Sequence, residues 1–499
     1  MSFLKRYLNK ESDLNPGAAA FLASLDQVAT VSPTIADAIV QELSDQRSYL
    51  KLIASENFSS LAVQQAMGNL LTDKYSEGYP HHRFYAGCDN VDTVEDEAAK
   101  LACELFDCDH AYVQPHSGAD ANLVAFWSIL FQRIQSPELE RLHVKNPEEL
   151  SDPEHERIRQ LMLSQKVMGM SLNSGGHLTH GYRFNITSKM MEAVSYDIDP
   201  ATGLLNYDQI AEQAKSEKPD ILLAGYSAYP RHINFAKMRE IADSVGAVFM
   251  VDMAHFSGLV AGKVFQGDHN PVPHAHIVTT TTHKTLRGPR GGMVLCTEEY
   301  ADTVNKGCPM VLGGPLPHVM AAKAVAFQEA SRPDFKTYAK NIVNNARALA
   351  DALIERGIDV LTGGTDNHIV LFDVTKFGLT GRQAEIALRR ARITANRNAI
   401  PFDENGPWYT SGIRLGTPAV TTLRMGTDEM GVIADAIYTI LSNTKPAIVE
   451  KTQKPSRAQS ITEERAMEKS ASQIRELLQS HPLYPEIQLV SENELMDVK

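Results

Sequence analysis

A lysine amine attacks carbonyl carbon, and a carboxylate placed nearby decides what the attached group can then do. Lys284 stands in VTTTTHKTLRGPRGG (278–292), where a β-branched run hands over to a loop rich in glycine and arginine. Such a run suits a buried strand, and in open α/β sheets ligands bind at that end of a strand. Thirty-two positions upstream, Asp252 directly follows the five apolar residues 247–251. That spacing fits one strand, a connection and the next strand, so the two residues are expected to end neighbouring strands. A Schiff-base lysine beside a strand-end carboxylate is what pyridoxal phosphate needs. The lysine holds the aldehyde, and the carboxylate keeps the pyridine nitrogen protonated as an electron sink. Taken alone, Lys284 reads first as a solvated loop lysine; its company decides.

PHSGADAN (115–122) reads as a strand, a Ser-Gly turn and a helix start. Backbone N–H groups and a hydroxyl then face an anion, although Ser117 as a plain helix cap explains the same residues. In GGHLTHG (175–181) His177 and His180 sit three apart, a spacing compatible with a metal pair. No carboxylate or cysteine stands beside them in sequence, so a histidine stacked on a flat ring is the better functional reading. In SGIRLGTPA (411–419) Arg414 lies among small and apolar residues, where its planar fork suits a carboxylate. An internal salt bridge is the plainer alternative. The segment 72–90, TDKYSEGYPHHRFYAGCDN, combines aromatic and turn residues as a functional loop does.

These residues need a scaffold. From residue 93 the pattern alternates: helix 94–106, strand 111–114, helix 119–132, then strand-like runs at 166–170, 193–196, 220–225, 247–251 and 277–281. Helical runs at 207–215 and 234–244 separate some of them, which implies βαβ units and a mostly parallel sheet. Segment 136–165 is charged and helical, with no chemistry visible. Upstream, 1–30 reads as an extension of weak periodicity, and 34–50 and 62–71 as helices. Downstream, 318–355 is one long helical pattern bent near Pro333. Short strands (369–374, 393–395) and helices (382–391, 430–441) follow as a second, α+β domain. Segment 444–460, with two prolines, reads as a linker before an amphipathic helix at 461–478. The expected division is an N-terminal extension and helical arm (1–55), a large domain (56–317), a small domain (318–443) and a tail (444–499).

The 499 residues are 43% hydrophobic and 22% charged, ordinary for a globular chain, and carry a net charge of −13. That charge argues against nucleic acid or an anionic membrane as primary partner. Five cysteines without a CxxC pattern suggest a reducing compartment. Lys5 and Arg6 are followed by Glu11 and Asp13 before any long apolar run, so neither a signal peptide nor a spanning helix is expected and the cytoplasm is the default.

LIASEN, KYSEGYP, FYAGC, VQPHSGADAN, GGHLTHG, VDMAH, TTTTHKTLRGPRGG, GGTDNH and SGIRLGTPA occur in this order across 52–441. With these strings the chain resembles the serine hydroxymethyltransferases, fold-type-I pyridoxal-phosphate transferases of α/β class. The resemblance implies a mostly parallel sheet flanked by helices with a smaller C-terminal α+β domain. It implies transfer of the hydroxymethyl carbon of L-serine to tetrahydrofolate, giving glycine and methylenetetrahydrofolate. It implies Lys284 as the Schiff-base lysine, Asp252 at the pyridine nitrogen, His255 near the ring hydroxyl and His177 stacked on the ring. Ser117, Gly118, His283 and Gly314 would hold the phosphate, with Tyr75 also at the cofactor. Arg414 would bind the substrate carboxylate, with Ser55, Tyr85 and Arg290 at the substrate and Thr281 and Tyr85 in the catalytic set. Leu172, Gly176, His177 and Leu178 would border folate. Tyr75 and Glu77 would reach the site from the partner of a homodimer, a tetramer also being compatible. Glu77 would be a carboxyl kept protonated by burial, where without the resemblance it caps a turn or pairs with Arg83. No metal is implied.

Three features depart from the family pattern. Ser117 and His177 are sixty positions apart, and the charged segment 136–165, read as a surface insertion, accounts for the excess. The usual FPGxQGGP-type run reads CPMVLGGP here, which weakens the assignment of Gly314. The tail beyond residue 444 is long. A threonine-type aldolase would share the lysine and aspartate but needs no folate border, and a metal-dependent hydrolase would use the histidines instead.

Overall fold

The computed structural model describes residues 2–10 and 14–489. Glu11, Asp13 and the last residues of the expected tail lie outside them. Seven strands form the main sheet: β1 (His110–Tyr112), β2 (Lys166–Met170), β3 (Glu192–Tyr196), β4 (Ile221–Gly225), β5 (Val248–Asp252), β6 (Ile277–Thr281) and β7 (Gly292–Cys296). Their order is β1-β7-β6-β5-β4-β2-β3. β7 runs antiparallel to both neighbours, and β6, β5, β4, β2 and β3 are mutually parallel. β4 to β7 are buried along their whole length, as expected of strands covered on both faces. One apolar cluster, including Met168, Leu222, Phe249, Val251 and Met293, fills one face. Another, including Val167, Ile221, Met250 and Val294, fills the other, so neighbours along each strand alternate between them.

Helix α1 (Gly118–Leu130) starts where the chain leaves β1, and the Ser117 hydroxyl caps it by accepting from the Asp120 N–H. The pattern at 318–355 resolves into two helices, α2 (Pro317–Ala330) and α3 (Pro333–Glu355), rather than one bent helix. Pro333 lacks the N–H an interior position needs and fits the first turn of a new helix, so the break falls just before it. A second sheet, β8 (Asp359–Val360), β9 (Ile369–Asp373), β10 (Asn396–Asn398) and β11 (Gly412–Gly416), is antiparallel in the order β8-β9-β11-β10. Its core includes Val370, Phe372, Ile413, Leu415 and Ile437, and also takes Leu50, Leu52 and Phe58 from near the start and Ile474 and Leu483 from near the end.

Two expectations are corrected at the ends of the chain. The weakly periodic start is helical over Phe3–Lys10 and Pro16–Val31, the second helix capped by Asn15 and packed through Ala18 and Leu22. The supposed linker is a hairpin, β12 (Thr444–Val449) against β13 (Lys454–Thr462). Its prolines deprive an edge of donors without preventing pairing, and Gln383 on a neighbouring helix donates to the carbonyls of Ser456 and Gln459. Segment 136–165 forms Ser136–Arg141 and Asp152–Leu163, mostly exposed and tied by Arg141 and Arg157 to Glu138.

Candidate active site

Asp252 is the last residue of β5, and Lys284 stands three residues past the end of the adjacent parallel strand β6. The Lys284 Nζ donates to the Thr281 hydroxyl at 3.1 Å, and that hydroxyl donates to the Ala254 carbonyl. Burial holds the Lys284 pKa down at about 8; Arg414 and Arg290 act in the same direction, against the pull of Asp252. Asp252 accepts from Asn122 Nδ2 (2.9 Å), from the Ala254 N–H (2.9 Å) and meets His180 Nε2 at 3.3 Å. Burial opposes its charge, but His180, His177 and Asn122 outweigh it and keep the carboxyl well below the usual carboxylate range. A lysine poised to lose its proton thus faces a carboxylate held ionised.

His177 is the first residue of a short turn. Its Nδ1 accepts from the Thr179 N–H, which places any ring proton on Nε2, and burial pushes its pKa down to about 4. The ring is therefore neutral at pH 7, a flat face suited to stacking. Folding adds what the sequence lacks, because Asp252 comes within 4.8 Å of His177 and His180, close enough for a three-ligand metal group. Those ligand atoms already serve one hydrogen-bond network: Asn122 bridges Asp252 and Thr179, and Thr279 donates to Asn122.

Lys284, His177 and His255 line a cleft of about 460 Å³ together with Ser55, Leu172, Gly176, Leu178 and Arg414. Leu172 and Leu178 remain 44% and 43% exposed, two apolar side chains at its mouth. Arg414, in the middle of β11, donates to the Ser227 carbonyl (2.6 Å) and Asn396 Oδ1 (3.2 Å). Among the described residues it pairs with no carboxylate, so the salt-bridge alternative fails, and burial lowers its pKa to about 10. A half-buried guanidinium held only by neutral oxygens is a seat for an anionic ligand. His255 meets His368 Nε2 at 3.3 Å in a stacked pair, and burial drives His255 well below the ordinary histidine range.

The Ser117–Gly118 turn packs directly on β6, since a Cβ on Gly118 would lie 2.7 Å from Thr281 Cγ2. Only a residue without a side chain lets the helix start come so near the lysine strand. His283 has a buried Nδ1 without a partner, and burial takes its pKa down to about 3. An amine near neutrality, an ionised carboxylate at a strand end, a neutral ring, a capped helix start and a lone half-buried guanidinium fit pyridoxal phosphate and an amino acid.

Ten expected residues are not among those lining the cleft: Ser117, Gly118, Asp252, Thr281 and His283, already placed above, and Tyr75, Glu77, Tyr85, Arg290 and Gly314. Tyr75 and Tyr85 touch edge to face at 4.9 Å and are 55% and 46% exposed. The Tyr75 hydroxyl donates to Glu77 at 3.3 Å, and the Tyr75 ring lies over Gly314. Glu77 is half-buried in this chain, and Arg83 is engaged with Asp92 and Glu95 rather than with it. Arg290 is exposed and acts on Lys284 through its charge alone. Conversely, sequence reasoning passed over Asn122, Thr179, Ser227, Asn396, Asn398 and His368. Asn122, Thr179 and His368 lie inside strings already singled out; the others carry no local pattern.

The sequence profile of the serine hydroxymethyltransferase family matches residues 28–139 and 158–437, leaving out the middle of the charged segment. The chain is 59% identical over 488 residues to a serine hydroxymethyltransferase of Treponema pallidum, covering 97% of this chain and 85% of that protein. It is 58% identical over 472 residues to one from Mycolicibacterium smegmatis, covering 95% of each. To one from Chlamydia trachomatis it is 53% identical over 493 residues, covering 98% of this chain and 99% of that protein. With family match, relatives and cleft in agreement along the chain, the protein belongs to the serine hydroxymethyltransferase family.

Proposed function

We propose a division of labour in the cleft for the family's reaction. This chain catalyses reversible, pyridoxal-phosphate-dependent transfer of the hydroxymethyl carbon of L-serine to tetrahydrofolate, giving glycine and methylenetetrahydrofolate. When bound, the cofactor supplies an aldehyde for attachment and a protonated ring that absorbs electrons from a substrate carbanion. Lys284 would hold it through Nζ, Asp252 would pair with the ring nitrogen, His177 would stack on the ring, and His255 would stand near the ring hydroxyl. Ser117, Gly118 and His283 would face the phosphate. Arg414 would take the substrate carboxylate, fixing which Cα bond is aligned for cleavage. Leu172, Gly176 and Leu178 would border the flat folate ring.

One observation carries this reading: a half-buried guanidinium without a carboxylate partner among the described residues faces the same cleft as a half-buried amine of lowered pKa. The assay is glycine formation from serine with and without tetrahydrofolate. Folate-dependent glycine is expected; cleavage of β-hydroxy amino acids indifferent to folate would favour the aldolase reading instead.

We keep the division into a cofactor domain at 56–317, a small domain at 318–443 and a tail from 444, although the first core reaches into α2 and α3 and the second takes in Ile474 and Leu483 of the tail. A homodimer would bring Tyr75 and Glu77 of one protomer to the partner's cleft, which accounts for the exposure of Tyr75 and for the absence of both from the lining of their own cleft. A tetramer is compatible with this. Among the described residues no helix is long and apolar enough to cross a membrane, and all five cysteines are free. The unpaired thiols support a cytoplasmic location.

A further inference from the structure

Lys323, on α2, is 1% exposed and touches nothing in the cleft. Its Nζ donates to the carbonyls of Val113 (2.5 Å), Pro115 (3.0 Å) and Gly292 (2.7 Å). Three acceptors exhaust the three N–H bonds of an ammonium, whereas a neutral amine has two. A buried cation is costly unless its donors are all satisfied, and these are.

The three carbonyls belong to two segments that matter to the cofactor. Val113 and Pro115 lead into Ser117 and Gly118, while Gly292 closes the loop that carries His283 and Lys284. The segments also bond directly, because the Gly292 N–H donates to the Pro115 carbonyl at 2.9 Å; within the lysine loop the Thr282 N–H donates to the Gly291 carbonyl at 3.1 Å. They are in backbone contact: a Cβ on Gly292 would fall 2.2 Å from the Ser117 carbonyl oxygen, and one on Gly291 2.6 Å from Lys323 Cε. Lys323 therefore sits behind the seam, holding one carbonyl of the lysine loop and two of the turn.

We propose that Lys323 is a positioning residue that fixes the Ser117–Gly118 turn against the lysine loop, so that both meet the phosphate of the cofactor in one register. The inference rests on the reading of Ser117 and Gly118 as the phosphate seat, and its test separates the two. Lys323→Gln keeps two N–H donors on a shorter side chain, and Lys323→Met keeps the length without donors. For each variant and for Ser117→Ala, the affinity of the apo form is measured for pyridoxal phosphate and for unphosphorylated pyridoxal. The thermal shift of the apo form with inorganic phosphate is measured alongside.

The expected result is that Lys323→Gln reduces the preference for the phosphorylated form about tenfold or more, with pyridoxal affinity little changed. Inorganic phosphate should stabilise that variant less than the parent. Lys323 and Ser117 changes should also be non-additive, as groups acting on one seat are. An unchanged preference in Ser117→Ala would remove the phosphate seat itself and the inference with it. A reduced preference in Ser117→Ala with an unchanged one in Lys323→Gln would overturn the inference alone, leaving Lys323 a fold-stabilising group even if melting falls. Should the Lys323 variants not fold, amide exchange on the parent decides. Phosphate should slow exchange at Gly118 and Gly292 together, and slowing at Gly118 alone would overturn the proposal.

Discussion

The cleft around Lys284 and the aromatic loop at 72–88 are built in opposite ways. In the cleft, Asp252, Asn122, Thr179, His180 and Thr279 hold one another through buried hydrogen bonds, and the functional atoms have little freedom. In the loop only the base is fixed. Arg83 binds Asp92 and Glu95 together with the carbonyls of Ser76 and Gly78, and Gln114 joins Gly78 and Glu95. Above that base Tyr75, Phe84 and Tyr85 are exposed, at 55%, 68% and 46%. The first region is preorganised by its own chain; the second is a rigid pedestal presenting groups outward. The proposed site across a dimer would need both, since the presented groups must be firm but must not be satisfied at home.

The largest effect should come from removing the cleft's anchor. Lys284→Ala should lose turnover and bind pyridoxal phosphate without a covalent link. Borohydride fixing the cofactor to that variant would identify another lysine as the anchor. Next comes the presented loop, where Glu77→Gln keeps size but cannot pass a proton. Folate-dependent serine turnover should fall roughly 10²–10⁴-fold while cofactor colour and slow folate-independent cleavage survive. Normal turnover, or joint loss of cofactor and dimer, would place Glu77 in the fold rather than the chemistry.

Arg414→Ala removes a charge-assisted contact worth roughly 1.5–3 kcal/mol. The serine KM should therefore rise about 10- to 100-fold with cofactor content unchanged; an unaltered KM would move the carboxylate seat elsewhere. A gentler probe is pH. The attacking amine must be neutral, so cofactor attachment to the apo form should accelerate as pH rises through about 8, the value to which burial lowers Lys284. Stopped-flow absorbance reads this directly, and a midpoint near that of an exposed lysine would contradict the burial argument. The smallest effect belongs to the insertion. Replacing 136–165 by a short Gly/Ser connection should leave cofactor content and serine cleavage near normal, whereas loss of the dimer would give it a structural task.

The two regions were unequally legible in the sequence. Asp252 and Lys284 could be placed because strand ends are written in apolar runs, and the structure puts them on adjacent parallel strands. The contact of His177 and His180 with Asp252 was invisible, since residues 75 and 72 positions apart meet only after β2 and β5 enter one sheet. The hairpin at 444–462 was missed because composition argued for a linker, while cross-strand pairing and the Gln383 contacts settle it. Lys323 carries no local signal at all; its three acceptors come from two distant segments.

The second core has a consequence for how the chain is made. Arg47 donates to the carbonyls of Leu483, Tyr484 and Ile487 at 2.9, 2.6 and 2.9 Å, across a separation of 436 to 440 residues. At about 5–20 residues per second, a ribosome needs roughly 20–90 s to travel that far. Throughout that interval the helices at Pro16–Val31 and Pro33–Ser48 exist without their final neighbours, while β1 to β7 can already assemble. The helix Pro33–Ser48 is thus among the last parts to find its place, locked down only once residues 483–487 have been made.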